Sequence, residues 1–219
     1  MIVPGAKIKN KSCGSHKTRR TFHVPFLVRC MNIMENEIMR NGGCGMLVRP
    51  EEWIIKPDEN GDGLLKVWAG SGITEFPLPI ETHGVSLDDV ALHEEQDFGL
   101  ILECAQKPKV YLDEVACESA GVYYSIASES VIPVGLFPAT DEPEFVRSAR
   151  ILLNGNVIEI CEDPTEFGFD KGDLLYRLTC LGDVYDAVLP AELADGIKIK
   201  EGSIVSCVYW VQGWPWEDG

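Results

Sequence analysis

No apolar run in this chain approaches the ~20 residues that a membrane-spanning helix needs, so no membrane span is expected. No Cys-x-x-Cys pair is present among the eight cysteines, Cys13, Cys30, Cys44, Cys104, Cys117, Cys161, Cys180 and Cys207. Wide spacing of that kind points to reduced, mostly buried thiols rather than a disulfide framework. No Gly-x-Ser-x-Gly elbow exists to expose a nucleophilic serine. Ala69-Gly70-Ser71-Gly72 is too short for a phosphate-binding loop and opens no helical pattern. Val24-Pro25-Phe26-Leu27-Val28, broken by Arg29, is too short for the apolar region of a secretory signal. The expected compartment is therefore cytoplasmic, and no cofactor-binding or metal-binding pattern is found.

One sign of charge is also missing from part of the chain. Residues 1–30 contain seven basic residues and no acidic one, although the 219 residues carry 35 Asp and Glu against 19 Lys and Arg. The formal net charge is −16, so the rest of the chain carries −23. A body that acidic is repelled by phosphate backbones and attracted to basic proteins. The basic leader, residues 1–42, reads as a mobile solvated tail or a translated upstream segment, with Met31 and Met34 as alternative starts, ahead of a weak nucleic-acid or anionic-surface arm.

The hydrophobic content of 45% is ordinary for a globular protein. The pattern is one of short strands: 46–48, 53–55, 64–68, 98–103, 110–115, 122–128 and 131–137, bounded by Gly, Pro and Asp. Ser86–Gln96 reads as a short helix with Ser86 as N-cap, Asp89 in its first turn and an apolar side of Leu87, Val90 and Leu92. Residues 138–149 are polar and carry two prolines, which suits a linker. After it, 150–161, 173–181 and 184–189 alternate as strands, with a tight connection at Gly182-Asp183. Pro190–Asp195 forms a helical turn, and 197–200 and 203–211 follow as strands. Five short strands with a helical turn before the fourth fit a small OB-like barrel. The expected fold is all-β or β-rich α+β: a β-rich N-terminal domain over 43–139 and a C-terminal barrel over 150–219. No internal repeat is visible in the spacings.

Several constellations invite a chemical reading. Asp58-Glu59-Asn60-Gly61-Asp62-Gly63 begins like a calcium loop, but Ala69 stands where the bidentate Glu belongs, so a hairpin turn is expected. His83 and His93 flank Asp88 and Asp89 without helical ligand spacing, and a solvated acidic face explains them. Cys13-x-x-His16 with Cys30 and Cys44 pairs zinc ligands at one end only. Cys44 sits among glycines and could use His83 or His93 as a base, which would make an enzyme.

Two binding surfaces remain. Asp88, Asp89, Glu94 and Glu95 form the densest acidic run. Tyr209, Trp210, Trp214 and Trp216 crowd the C-terminus, where aromatics weld parts together, form protein interfaces, or stack bases and sugars. The leading expectation is a non-enzymatic acidic protein that recognises a basic protein partner, as an immunity or inhibitor protein does. The alternative is an OB-like barrel that binds an oligosaccharide or nucleic acid through those aromatics. Nucleic acid is disfavoured by the charge.

Overall fold

The computed structural model describes residues 45–70, 75–119, 129–137, 146–161 and 163–216. The leader 1–42, Cys13, His16, Cys30 and Cys44, the strand expected at 122–128 and most of the expected linker lie outside the described residues. The fold is all-β in substance: ten strands form one sheet, with a single short helix and three 3₁₀ turns among the described residues.

In the first half, β1 (Gly45–Ile55), β2 (Gly63–Ala69) and β3 (Phe76–Thr82) form an antiparallel meander. A 3₁₀ turn, Leu87–Asp89, leads into β4 (Gln96–Cys104), which returns antiparallel to β1. β5 (Lys109–Tyr111), helix α1 (Glu114–Ser119) and β6 (Ser130–Ile132) follow as small edge elements. In the second half, β7 (Arg150–Ile160), β8 (Leu174–Cys180) and β9 (Asp183–Leu189) form another meander. A 3₁₀ turn, Ala191–Leu193, precedes β10 (Ile204–Pro215), which returns antiparallel to β7.

The two halves therefore repeat one plan. β1 and β7 have 11 residues each, and β2, β3, β8 and β9 have 7. Each half also borrows a strand. β10 runs past β7 to pair antiparallel with β4 and parallel with β3, and β4 pairs parallel with β9. The pairings thus close twice, as β1–β2–β3–β10–β4 and as β7–β8–β9–β4–β10. An approximate two-fold passes between Gln212 and Ile101, which are partners. On one side Gln212 meets Glu81, and on the other Ile101 meets Asp186.

The core follows the same relation. Met46 corresponds to Ile151, Val48 to Leu153, Leu65 to Leu178, Val67 to Cys180, Ile80 to Tyr185, Phe98 to Tyr209 and Leu100 to Val211, and all are buried. Only Leu65 and Leu178 are the same residue type, which is why no repeat is visible in the sequence. One continuous apolar cluster runs through both halves.

Local differences from the sequence reading have physical causes. The segments at 46–48 and 53–55 are one strand, because irregularities in the ladder near Pro50 and Trp53 let β1 bend without breaking. β3 was not expected, since it carries Pro77 and Pro79. A proline has no N–H to give, so the ladder to β2 runs through the alternate rows and both prolines spare it. The helix expected over Ser86–Gln96 stops at Asp89: Leu87 and Leu92 are exposed, and His93 adopts a left-handed φ of 69°. The strand expected at 110–115 ends at Tyr111 and gives way to α1. The strand expected at 131–137 ends before Pro133, where the chain turns. Ile197–Lys200 joins no ladder. The β8–β9 connection is a two-residue turn with both central residues at positive φ, Leu181 at 55° and Gly182 at 89°, which matches the twist of a tight hairpin.

Candidate functional site

The acidic run lies on the connection from β3 to β4. Asp88, Asp89, Glu94 and Glu95 are all exposed, and no ion pair among the described residues involves them. The connection is nonetheless held. Ser86 N–H donates to the Asp89 carboxylate at 2.6 Å, Ala91 N–H donates to Gln96 Oε1 at 2.8 Å, and His93 N–H donates to the Pro50 carbonyl at 2.7 Å. Val90 is buried beneath it and pins it to the core. Four carboxylates are therefore displayed on backbone that is already ordered.

The C-terminal aromatics divide. Tyr209 is fully buried, and its hydroxyl lies 3.0 Å from that of Tyr176. Trp214 is 6% exposed and packs on β4, where a Cβ built on Gly99 would lie 2.6 Å from its Cε2. Trp214 thus joins the halves, Tyr209 sits inside the second, and neither leaves appreciable surface to a ligand. Trp210 and Trp216 are half-buried. Trp210 carries the Arg150 guanidinium 5.6 Å from its ring centroid, a cation–π contact. Trp216 packs at the margin of the core, and its backbone N–H donates to the Asp97 carbonyl.

The sequence 58–63 forms a turn. Asp58 accepts from the N–H groups of Asn60 (2.7 Å) and Asp62 (3.1 Å), the former bond chiefly holding its carboxyl below the ordinary range. Gly61 takes φ of 78°, packed against Gly84 and Val85. This turn places Asp62 beside His83 at the end of β3, with Nδ1 and Oδ1 2.9 Å apart. An ionised carboxylate can only accept, so Nδ1 carries the proton. His83 is therefore held by Asp62 and not by His93, which lies ten residues further along the same connection.

Glu81 completes this corner and was overlooked in the sequence, because it sits in the proline-containing β3. It is half-buried, and its Oε2 is shielded from solvent with no hydrogen-bond partner among the described residues. Burial raises its carboxyl above the ordinary 4.5; His83 nearby opposes that shift, and Asp62 adds to it. Among the described residues no group of three or more His, Cys, Asp or Glu is arranged to hold a metal ion, and no helix is long and apolar enough to cross a membrane.

The interior of the second closed cycle holds a line of polar atoms. Cys104 Sγ lies 3.4 Å from the Tyr176 hydroxyl, and Cys207 Sγ donates to the Gln106 carbonyl at 3.2 Å. Both thiols are buried, as is Cys180, whose thiol burial pushes up to about 12. All five cysteines within the described residues are free thiols. Neither protein-family models, nor curated proteins, nor solved structures give a match to this chain.

Proposed function

We propose that this is a non-enzymatic acidic interaction protein that recognises a basic protein partner, in the manner of an immunity or inhibitor protein. The observation that carries the reading is the ordered acidic loop: Asp88, Asp89, Glu94 and Glu95 are exposed, free of ion pairs among the described residues, and fixed by backbone hydrogen bonds. Carboxylates already held in place attract a cationic surface without a large ordering cost. A cytoplasmic location belongs to the same reading, supported by the free thiols.

The test is association kinetics with the basic partner, identified by affinity capture from the native host. Reversing the four acids to lysine is expected to slow association by tenfold or more while changing dissociation little, and to flatten the salt dependence. An on-rate indifferent to salt and to the reversals overturns the reading.

A second reading keeps the C-terminal aromatics. The order within each closed cycle, a meander, a helical turn and a returning strand completed by a strand from the other half, supports an OB-like barrel in this reading. Trp210 beside Arg150 supplies a half-exposed stacking surface suited to a sugar. Trp210→Ala would abolish such binding, and the four reversals would leave it intact.

A further inference from the structure

The internal two-fold allows the two halves to be compared residue by residue. One row of partners crosses six strands: Leu64, Glu81, Gln212, Ile101, Asp186 and Arg177. Its centre is the Gln212–Ile101 pair, so Glu81 and Asp186 occupy equivalent places, and so do Leu64 and Arg177. In the second half the acid is answered: Arg177 Nε donates to Asp186 Oδ1 at 2.9 Å, and its Nη1 reaches Glu159 at 3.1 Å. In the first half the same place holds Leu64, which supplies no charge, and Glu81 Oε2 is left shielded and without a hydrogen-bond partner among the described residues.

A second difference lies beside it. Asp62 and His83 continue the β2–β3 register, and their counterparts in the second half are the apolar pair Leu175 and Val188. The first half has thus gained a polar corner and lost its internal cation. A shielded carboxylate oxygen without a donor costs free energy that the fold does not recover by itself. Asp62 is the exposed member of the corner, 39% exposed at its side chain, with His83 holding one of its oxygens.

We infer that Glu81, Asp62 and His83 form a receptor for one guanidinium group, an arginine side chain of the basic partner, which supplies from outside the charge that Arg177 supplies from within the other half. The inference rests on the proposed recognition of a basic protein and names the point at which that protein engages. Two carboxylates suit a planar donor fork better than a compact ammonium.

The probe is a glycine-flanked pentapeptide with a single arginine, compared with the same peptide carrying lysine. Binding to the full chain is followed by the His83 ring proton resonances. The arginine peptide is expected to shift them saturably, and the lysine peptide to bind several-fold more weakly. Glu81→Gln, nearly isosteric, is expected to weaken the arginine peptide by tenfold or more. Leu64→Arg supplies the guanidinium from within and is expected to block the peptide; if Leu64→Arg does not fold, Glu81→Gln decides alone. Arginine binding that survives Glu81→Gln overturns the inference, as does a titration that leaves the His83 resonances unmoved. If binding survives Glu81→Gln but falls when Asp88, Asp89, Glu94 and Glu95 are reversed, the receptor fails and the acidic-loop reading stands. If binding falls with Glu81→Gln but ignores the reversals, the receptor stands and the loop is removed from the reading.

Discussion

Tyr185→Phe tests whether the polar atoms of the interior are balanced as the geometry indicates. Tyr176, Tyr185 and Tyr209 are all essentially fully buried, but their hydroxyls differ. Those of Tyr176 and Tyr209 lie 3.0 Å apart, and Cys104 Sγ adds a contact to Tyr176 at 3.4 Å. The hydroxyl of Tyr185 has no hydrogen-bond partner among the described residues. A buried hydroxyl left unpaired costs about 1–3 kcal/mol, whereas a made hydrogen bond contributes about 0.5–1.5 kcal/mol net. Replacing tyrosine by phenylalanine deletes one oxygen and leaves the ring packing in place. Tyr185→Phe is therefore expected to stabilise the protein by about 1 kcal/mol, while Tyr209→Phe destabilises it by a similar amount. Urea unfolding at neutral pH, read as the midpoint at constant slope, separates the two. Burial also raises the Tyr185 phenol well above its ordinary 10.0, so its stability contribution is complete below that value and is lost as pH climbs beyond it. Tyr185→Phe should accordingly flatten the alkaline limb of the stability curve. If Tyr185→Phe lowers the midpoint as much as Tyr209→Phe does, the reasoning fails.

Two further substitutions probe the junction of the halves. Gly99→Ala sets a methyl against the Trp214 ring, where a Cβ would lie 2.6 Å from Cε2, and is expected to cost about 1–3 kcal/mol by overpacking; thermal melting equal to the parent protein would contradict that contact. Glu81 has a raised carboxyl, so its contribution is complete below about 4.5 and is lost as pH rises through the higher folded value. Glu81→Gln should be more stable than the parent at neutral pH and lose that advantage in acid, as chemical denaturation across pH 4–8 would show; a pH-independent difference would refute it.

The strands that alternate cleanly were legible. Residues 150–157 bury every second side chain and 174–180 nearly so, and that period is what a sequence displays. Pro77 and Pro79 hid β3, and with it Glu81. Leu87 and Leu92 imitated the apolar side of a helix while lying exposed on the surface. The likeness of the halves was hidden for a different reason. A core position constrains volume and polarity more than identity, so Phe98 and Tyr209, or Val67 and Cys180, serve equally well. The sequence sets His83 with His93 around Asp88 and Asp89; its partner in the fold, Asp62, sits in the 58–63 turn, and only the β2–β3 register joins them.

The borrowing of strands has a consequence for how the chain is made. β1 to β4 leave the ribosome well before β10, and at about 5–20 residues per second the wait lasts on the order of ten seconds. Throughout it β3 is a bare edge, open to any other nascent strand. Pro77 and Pro79 remove the N–H donors from the side of β3 that faces away from β2, the side on which β10 later meets it at a single residue pair. The prolines that hid the strand from the sequence reading thus guard it against wrong partners until the last strand arrives.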